Sequence, residues 1–292
     1  MHFKEKLEQS GDGLQSEQII EKAQKEFNDA RQKETLPAIR VKNTAIWVNP
    51  AFENAPLKIQ PGHSTDLGLF LTPHPEKYPD EKVENRIIMP EKISGRSILL
   101  ESTRFQDSEG RLYRDIDLKG AGAFLKMPDG TYVVGEVKKR SLDPNQAKGL
   151  LDYNIALADK ECTEMFLSKG LRTHRVVAIL DLEEIVDKEG NKISIPVAKE
   201  RGIISQEMHP VIAVRAFGTK ERLDYMHVPS EKETERIRAI LALNDAIALV
   251  ALELHKKLSE FSMQDYLEWF TQTLGNQVAR IRNFGAYHGH LH

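Results

Sequence analysis

Asp117-Leu118-Lys119-Gly120-Ala121-Gly122 is the stretch whose reading decides the fold. It places a lysine at the end of an apolar, strand-like run and follows it at once with two small glycines. A lysine carried by a rigid strand is a fixed point charge, and glycines let a large anionic group come close to the backbone. That combination predicts a seat for a nucleotide phosphate. Taken alone, the lysine reads equally well as a solvated edge residue, so its weight depends on the segments around it.

Working outward, short apolar or β-branched runs separated by turn residues predict strands at residues 37–48, 86–89, 97–102, 112–118 and 131–137. Asp107-Ser108-Glu109-Gly110 and Pro128-Asp129-Gly130 suit hairpins. A helix is expected over residues 145–169, with Gly170 as its stop. Strands return at 174–182, 193–196 and 211–217, with Lys188-Glu189-Gly190-Asn191 turning between two of them. Upstream, residues 16–33 carry Ile19, Ile20, Ala23, Phe27 and Ala30 at helical spacing. Prolines between 50 and 79 mark a loop. Downstream, Ser230 to Glu233 has capping-box spacing and opens a long helix to about residue 258. Ser262 to Asp265 opens a second, with Tyr266, Leu267, Phe270, Leu274, Val278 and Ile281 inward.

The expected fold class is therefore α+β. A helical extension (1–36) leads into a strand-rich lobe with one central helix (37–228), and a partial helical lobe (229–292) follows. Strand, glycine turn, lysine strand, helix, strands and then helices is the running order of a protein-kinase-like fold. Regular alternation would have indicated a doubly wound sheet.

Composition narrows the function. The 292 residues are 40% hydrophobic and 29% charged, with a net charge of -3, so no general basic character argues for nucleic acid. Cys162 is the single cysteine, which excludes an internal disulfide; it reads as a small buried hydrophobe rather than a nucleophile. The longest apolar run, 246–252, is shorter than the roughly 20 residues that span a bilayer, and the start lacks a signal-peptide core. A cytoplasmic protein without membrane partners is expected.

Phosphoryl and nucleotidyl transfer need a lysine fixed by a helix carboxylate, metal on the phosphate oxygens and a base for the attacking hydroxyl. Lys119 is the candidate lysine. Glu164 is its expected orienting partner, with Glu161 next. Gly95 and Arg96 form a candidate phosphate turn, as do Asp129 and Gly130. Arg215 leaves an apolar strand and needs an anionic partner, either a structural carboxylate or a phosphate. Arg222 follows seven residues later. No P-loop, dinucleotide fingerprint or zinc spacing occurs. The three terminal histidines, His288, His290 and His292, suggest a metal site only weakly, because no carboxylate accompanies them.

The ordered set resembles the selenoprotein O family, protein adenylyltransferases on a protein-kinase-like fold. Ile93-Ser94-Gly95-Arg96 is similar to the family's Gly-Asp-Gly-Arg turn, with Ile93 in place of the first glycine. Leu118-Lys119-Gly120-Ala121-Gly122 matches the next motif, and Asp129-Gly130 follows. Thr163-Glu164-Met165 resembles the helix segment and Gly170 to Arg175 the strand entry. Arg215 and Arg222 share the spacing of two nucleotide-contacting arginines, and Tyr287-His288-Gly289 resembles the opening of the catalytic loop. The resemblance covers residues 93–292. It implies transfer of AMP from ATP to a protein hydroxyl, with Mg²⁺ or Mn²⁺. It places the catalytic aspartate and the metal ligands after His292, so none is expected in this chain. The alternatives are an inactive nucleotide-binding or scaffold protein and, from the terminal histidines, a metal-dependent hydrolase.

Overall fold

The structure is a computed structural model that describes residues 25, 36–53, 55–83, 87–88, 94–100, 104–126, 132–134, 149–220 and 233–285. The chain divides into two compact units, Glu34–Lys220 and a second comprising Met1–Lys33 with Glu221–His292. The expected helix at 16–33, apart from Lys25, lies outside the described residues.

The Glu34–Lys220 unit is mixed α+β and strand-rich. It begins with β1 (Ala38–Arg40), β2 (Asn43–Val48), β3 (Leu69–Leu71), β4 (Lys82–Val83), β5 (Ile87–Ile88) and β6 (Ser94–Leu100). The hairpin β7 (Phe105–Gln106) and β8 (Leu112–Tyr113) precedes the long β9 (Asp115–Lys126) and β10 (Tyr132–Val134). Next come β11 (Leu151–Asp152), helix α1 (Tyr153–Ser168) and β12 (Arg175–Leu182). The hairpin β13 (Glu184–Val186) and β14 (Lys192–Ser194), helix α2 (Ile195–Glu200) and β15 (Pro210–Phe217) complete the unit.

The main sheet runs β2-β12-β15-β9-β6-β5 through antiparallel pairings, with β10 on β9 and β11 on β15. Central strands β12 and β15 read as nearly unbroken apolar runs, as strands covered on both faces must. One face carries Ile98, Ile116, Leu118, Leu180, Ile212 and Val214 into the principal core, beside the small sheet β3-β1-β4. The other carries a smaller cluster of Leu151, Val176, Ile179, Val211 and Ala213, against which Ala156 of α1 packs.

Helix α1 starts at Tyr153, where the side chain of Asp152 caps Asn154 N–H at 2.9 Å. The expected run overreaches at residues 149–152, which hold a turn and β11 before Asp152, a preferred N-cap, fixes the start of α1; residues 145–148 lie outside the described residues. Residues 193–196 are not one strand either. Ser194 ends β14 and Pro196 sits in the first turn of α2, where a missing N–H costs nothing. Cys162 is exposed on α1 rather than buried, because α1 turns only Ala156 and Thr163 fully inward.

In the second unit, α3 (Glu233–Glu253) and α4 (Met263–Asn283) share a cluster of Ala246, Ile247, Ala248, Ala251, Phe261 and Tyr266. The capping box at Ser262 and Asp265 is present in both directions. Of the residues expected inward on α4, only Tyr266 is buried; Leu267 and Leu274 are exposed, because the helix meets its neighbour along the Tyr266 side. No helix among the described residues is long and apolar enough to cross a membrane.

Candidate functional site

Lys119 lies within β9 and does not end it. It pairs across the sheet with Ala213 of β15 and Ser97 of β6. Beyond it the register breaks. Between the pairs Ser97–Lys119 and Gly95–Phe124, β6 has one residue where β9 has Gly120 to Ala123, so β9 bulges outward. Gly120 and Gly122 take φ of +102° and +97°, which side-chain-bearing residues rarely adopt.

The space these glycines open is filled by the protein. A Cβ on Gly120 would lie 2.4 Å from the Val211 carbonyl oxygen and 2.9 Å from Leu151 Cβ. On Gly122 it would meet Leu71 Cβ at 3.0 Å, and a Cβ on Gly149 would collide with the Gly122 backbone. The reading of these glycines as room for an anionic ligand is thus corrected. They admit the 149–151 segment and β3.

Side chains on the α1 face of the sheet form one polar row. Asp117 and Lys119 share that face of β9, being two residues apart. Arg215, opposite Asp117 in the ladder, donates from Nε and Nη2 to the two Asp117 oxygens, both at 2.7 Å. Asp117 is fully buried and also accepts from Lys220 Nζ at 2.7 Å. The Phe217 ring lies under both cations, 5.3 Å from the Arg215 guanidinium carbon and 3.9 Å from Lys220 Nζ.

Asp159 of α1 joins the row to the helix. Its Oδ2 is 3.6 Å from Lys119 Nζ and 3.5 Å from Arg215 Nη1, and its Oδ1 is 3.1 Å from His174 Nε2. His174 stacks on Phe217 at 5.0 Å. Burial pushes Asp159 up, but the His174 hydrogen bond and the charges of His174, Lys119 and Arg215 outweigh it. The carboxyl is held well below its usual range. In Asp117 too, burial is outweighed by Arg215 and Lys220, and the carboxyl is lowered. Burial and the adjacent Arg215 lower Lys220 despite Asp117.

Glu164, expected to orient Lys119, is bound elsewhere. It accepts from Arg175 Nε and Nη2 at 2.9 and 2.8 Å and from Asn49 Nδ2 at 3.0 Å. Five residues separate Asp159 from Glu164, which turns them about 140° apart around the helix. The sequence names the right helix but not its phase. Asp159 was available as a signal, since it too is an acidic residue on α1. Arg175 also donates to Asp107 Oδ2 at 2.7 Å, fixing the β7–β8 hairpin, whose Phe105 and Tyr113 pack on Phe52. A cleft of about 440 Å³ opens at this second cluster, lined by Trp47, Asn49, Ala51, Glu109, Glu164 and Arg175.

The structure thus brings Lys119 and Arg215 together at Asp159 and sets Glu164 apart. Gly95 and Arg96 lie inside strand β6 and not in a turn before it. The Arg96 side chain, Asp129, Gly130, Arg222 and the terminal histidines lie outside the described residues. Among the described residues no group of three or more histidine, cysteine or acidic side chains is arranged for a metal ion. No protein-family model matches the chain, and no curated protein matches it either.

Proposed function

We propose that the Glu34–Lys220 unit binds the phosphates of ATP and belongs to a nucleotidyltransferase with a protein-kinase-like lobe. The observation that carries this reading is the central-strand lysine held by the helix that follows it. Lys119 sits mid-sheet with its side chain 18% exposed, on a carboxylate it shares with Arg215. A strand lysine paired with a helix carboxylate is how kinase-like lobes present an ammonium to phosphate oxygens. The strand order β5-β6-β9-β15-β12, with α1 entered between β9 and β12, supports the same reading. So does the charge. Lys119, Arg215 and Lys220 stand around two carboxylates, Asp117 and Asp159, in a setting suited to a polyanion.

By the resemblance to selenoprotein O adenylyltransferases, the acceptor is a protein hydroxyl. Its oxygen attacks the α-phosphorus of ATP, an oxygen–phosphorus bond to AMP forms, and pyrophosphate leaves. The hydroxyl proton passes to a general base. Mg²⁺ or Mn²⁺ would neutralise the phosphates. Among the described residues, Lys119, Arg215 and Lys220 are the groups that would hold and orient the anionic oxygens.

A thermal-shift titration tests the binding step. ATP should raise the Tm of the protein, and Lys119→Ala should abolish that rise. An equal rise in the variant counts against the proposal.

A further inference from the structure

Helix α1 is weakly anchored by apolar packing. Only Ala156 and Thr163 are buried along its 16 residues, while Ile155 and Met165 are 45% and 41% exposed. Polar tethers on two flanks hold it instead. Asp159 ties one flank to Lys119, Arg215 and His174. Glu164 ties the other to Arg175. The tethers are about 7.5 Å apart along the axis and about 140° apart around it. Two anchors so placed fix both the height and the rotation of a helix. One anchor alone leaves rotation free.

Arg175 is the rigid side of the second tether. Its side chain is 5% exposed, at the start of β12, and its guanidinium fork is bidentate to Glu164. The remaining nitrogen is held by Asp107 at 2.7 Å and Glu109 at 3.3 Å from the β7–β8 hairpin. The hairpin is itself seated by the Phe52–Phe105–Tyr113 aromatic group.

We infer that Arg175, acting through Glu164, is the positioning residue that sets the rotation of α1 and so keeps Asp159 against Lys119. The inference rests on reading Lys119 as the phosphate-binding lysine, and it adds a mechanical link. The β7–β8 hairpin buttresses the guanidinium that holds their helix. Anything that displaces the hairpin or opens the Glu164 contact turns the Asp159 flank and draws that carboxylate away from the ammonium.

The test reads Lys119 itself. The protein without nucleotide is treated with an amine-acylating ester, and acylation at each lysine is followed by peptide mass spectrometry. Glu164→Gln is the chosen variant because it keeps the shape of the side chain and leaves Arg175 with Asp107. Acylation of Lys119 should rise severalfold in Glu164→Gln, as it does in Asp159→Asn, while Lys192 and Lys220 keep their rates. Combining both substitutions should add nothing beyond Asp159→Asn, since the second acts through the first. Unchanged Lys119 acylation in either variant overturns the inference. So does an equal rise at Lys119, Lys192 and Lys220, which would report general loosening of the unit. A separate arm adds ATP to the unsubstituted protein. Failure of ATP to slow Lys119 acylation refutes the nucleotide reading, and the coupling then stands or falls on the rates without nucleotide.

Discussion

Replacing Gly120 with alanine should destabilise the Glu34–Lys220 unit far more than the same change at Gly62. Both glycines have positive φ, +102° and +78°, so both substitutions strain the backbone by about 1–2 kcal/mol. Their surroundings differ. A Cβ on Gly62 meets nothing within 4 Å, whereas on Gly120 it falls 2.4 Å from the Val211 carbonyl oxygen. Val211 belongs to β15, paired to β11 on one side and β12 on the other, so that oxygen is not free to withdraw. Overpacking against fixed backbone adds about 1–3 kcal/mol. Gly120→Ala should therefore cost about 4 kcal/mol, a fall in Tm of about 8–16 °C for a unit of this size, against about 2–8 °C for Gly62→Ala. Differential scanning calorimetry of both variants measures the difference. Equal losses would refute the claim that the chain's own 149–151 segment and β15 occupy the glycine bulge.

Asp117→Asn should cost about 3–5 kcal/mol in urea unfolding, because it leaves Arg215 and Lys220 around a buried neutral group. Asp117 and Asp159 lie below their usual carboxyl values in the folded protein, so the unfolded chain takes up protons first as acid is added. Their stabilisation is complete above the unfolded value of about 3.9 and is lost as the pH falls below it. Asp117→Asn should flatten that acid limb, and an unchanged limb would show that the carboxylate does not supply it. Burial and the Asp107 charge raise the Tyr113 hydroxyl above its ordinary range. An alkaline absorbance titration of Tyr113→Phe should therefore lose one late-ionising phenol. Its stability should fall by about 0.5–1.5 kcal/mol for the hydrogen bond to Asp107.

Much of β2, β6, β9, β12 and β15 was legible because their signals are local, whereas β3 falls in the Pro-rich segment expected to be loop. β12 and β15 announce themselves as apolar runs, and Asp107 to Gly110 and Lys188 to Asn191 do turn hairpins, though these are β7–β8 and β13–β14, whose first strands were not expected. What failed depends on how elements meet. Ile193-Ser194-Ile195-Pro196 has strand-forming residues, yet Pro196 opens a helix, a positional signal that was present and passed over. Glu164 and Asp159 are chemically equivalent choices for a lysine partner. Only the phase of α1 on the sheet separates them, and that phase is set by Arg175, Asn49 and His174, contacts far off in sequence or beyond the helix. Likewise, glycines beside a lysine declare that something approaches closely, without saying whether it is ligand or backbone. Arg215 carried both readings, and the structure supplies the carboxylate, Asp117.

Calorimetric titration of the unsubstituted protein and of Lys119→Met with ATP and with adenosine addresses the phosphate-holding role of Lys119 most directly. A charge-assisted contact of about 1.5–3 kcal/mol corresponds to about 10-fold to 100-fold in affinity. The unsubstituted protein should prefer ATP over adenosine by at least that margin, and Lys119→Met should erase the preference while keeping its Tm. Equal affinity for ATP and adenosine, or a preference that survives in Lys119→Met, would contradict that role.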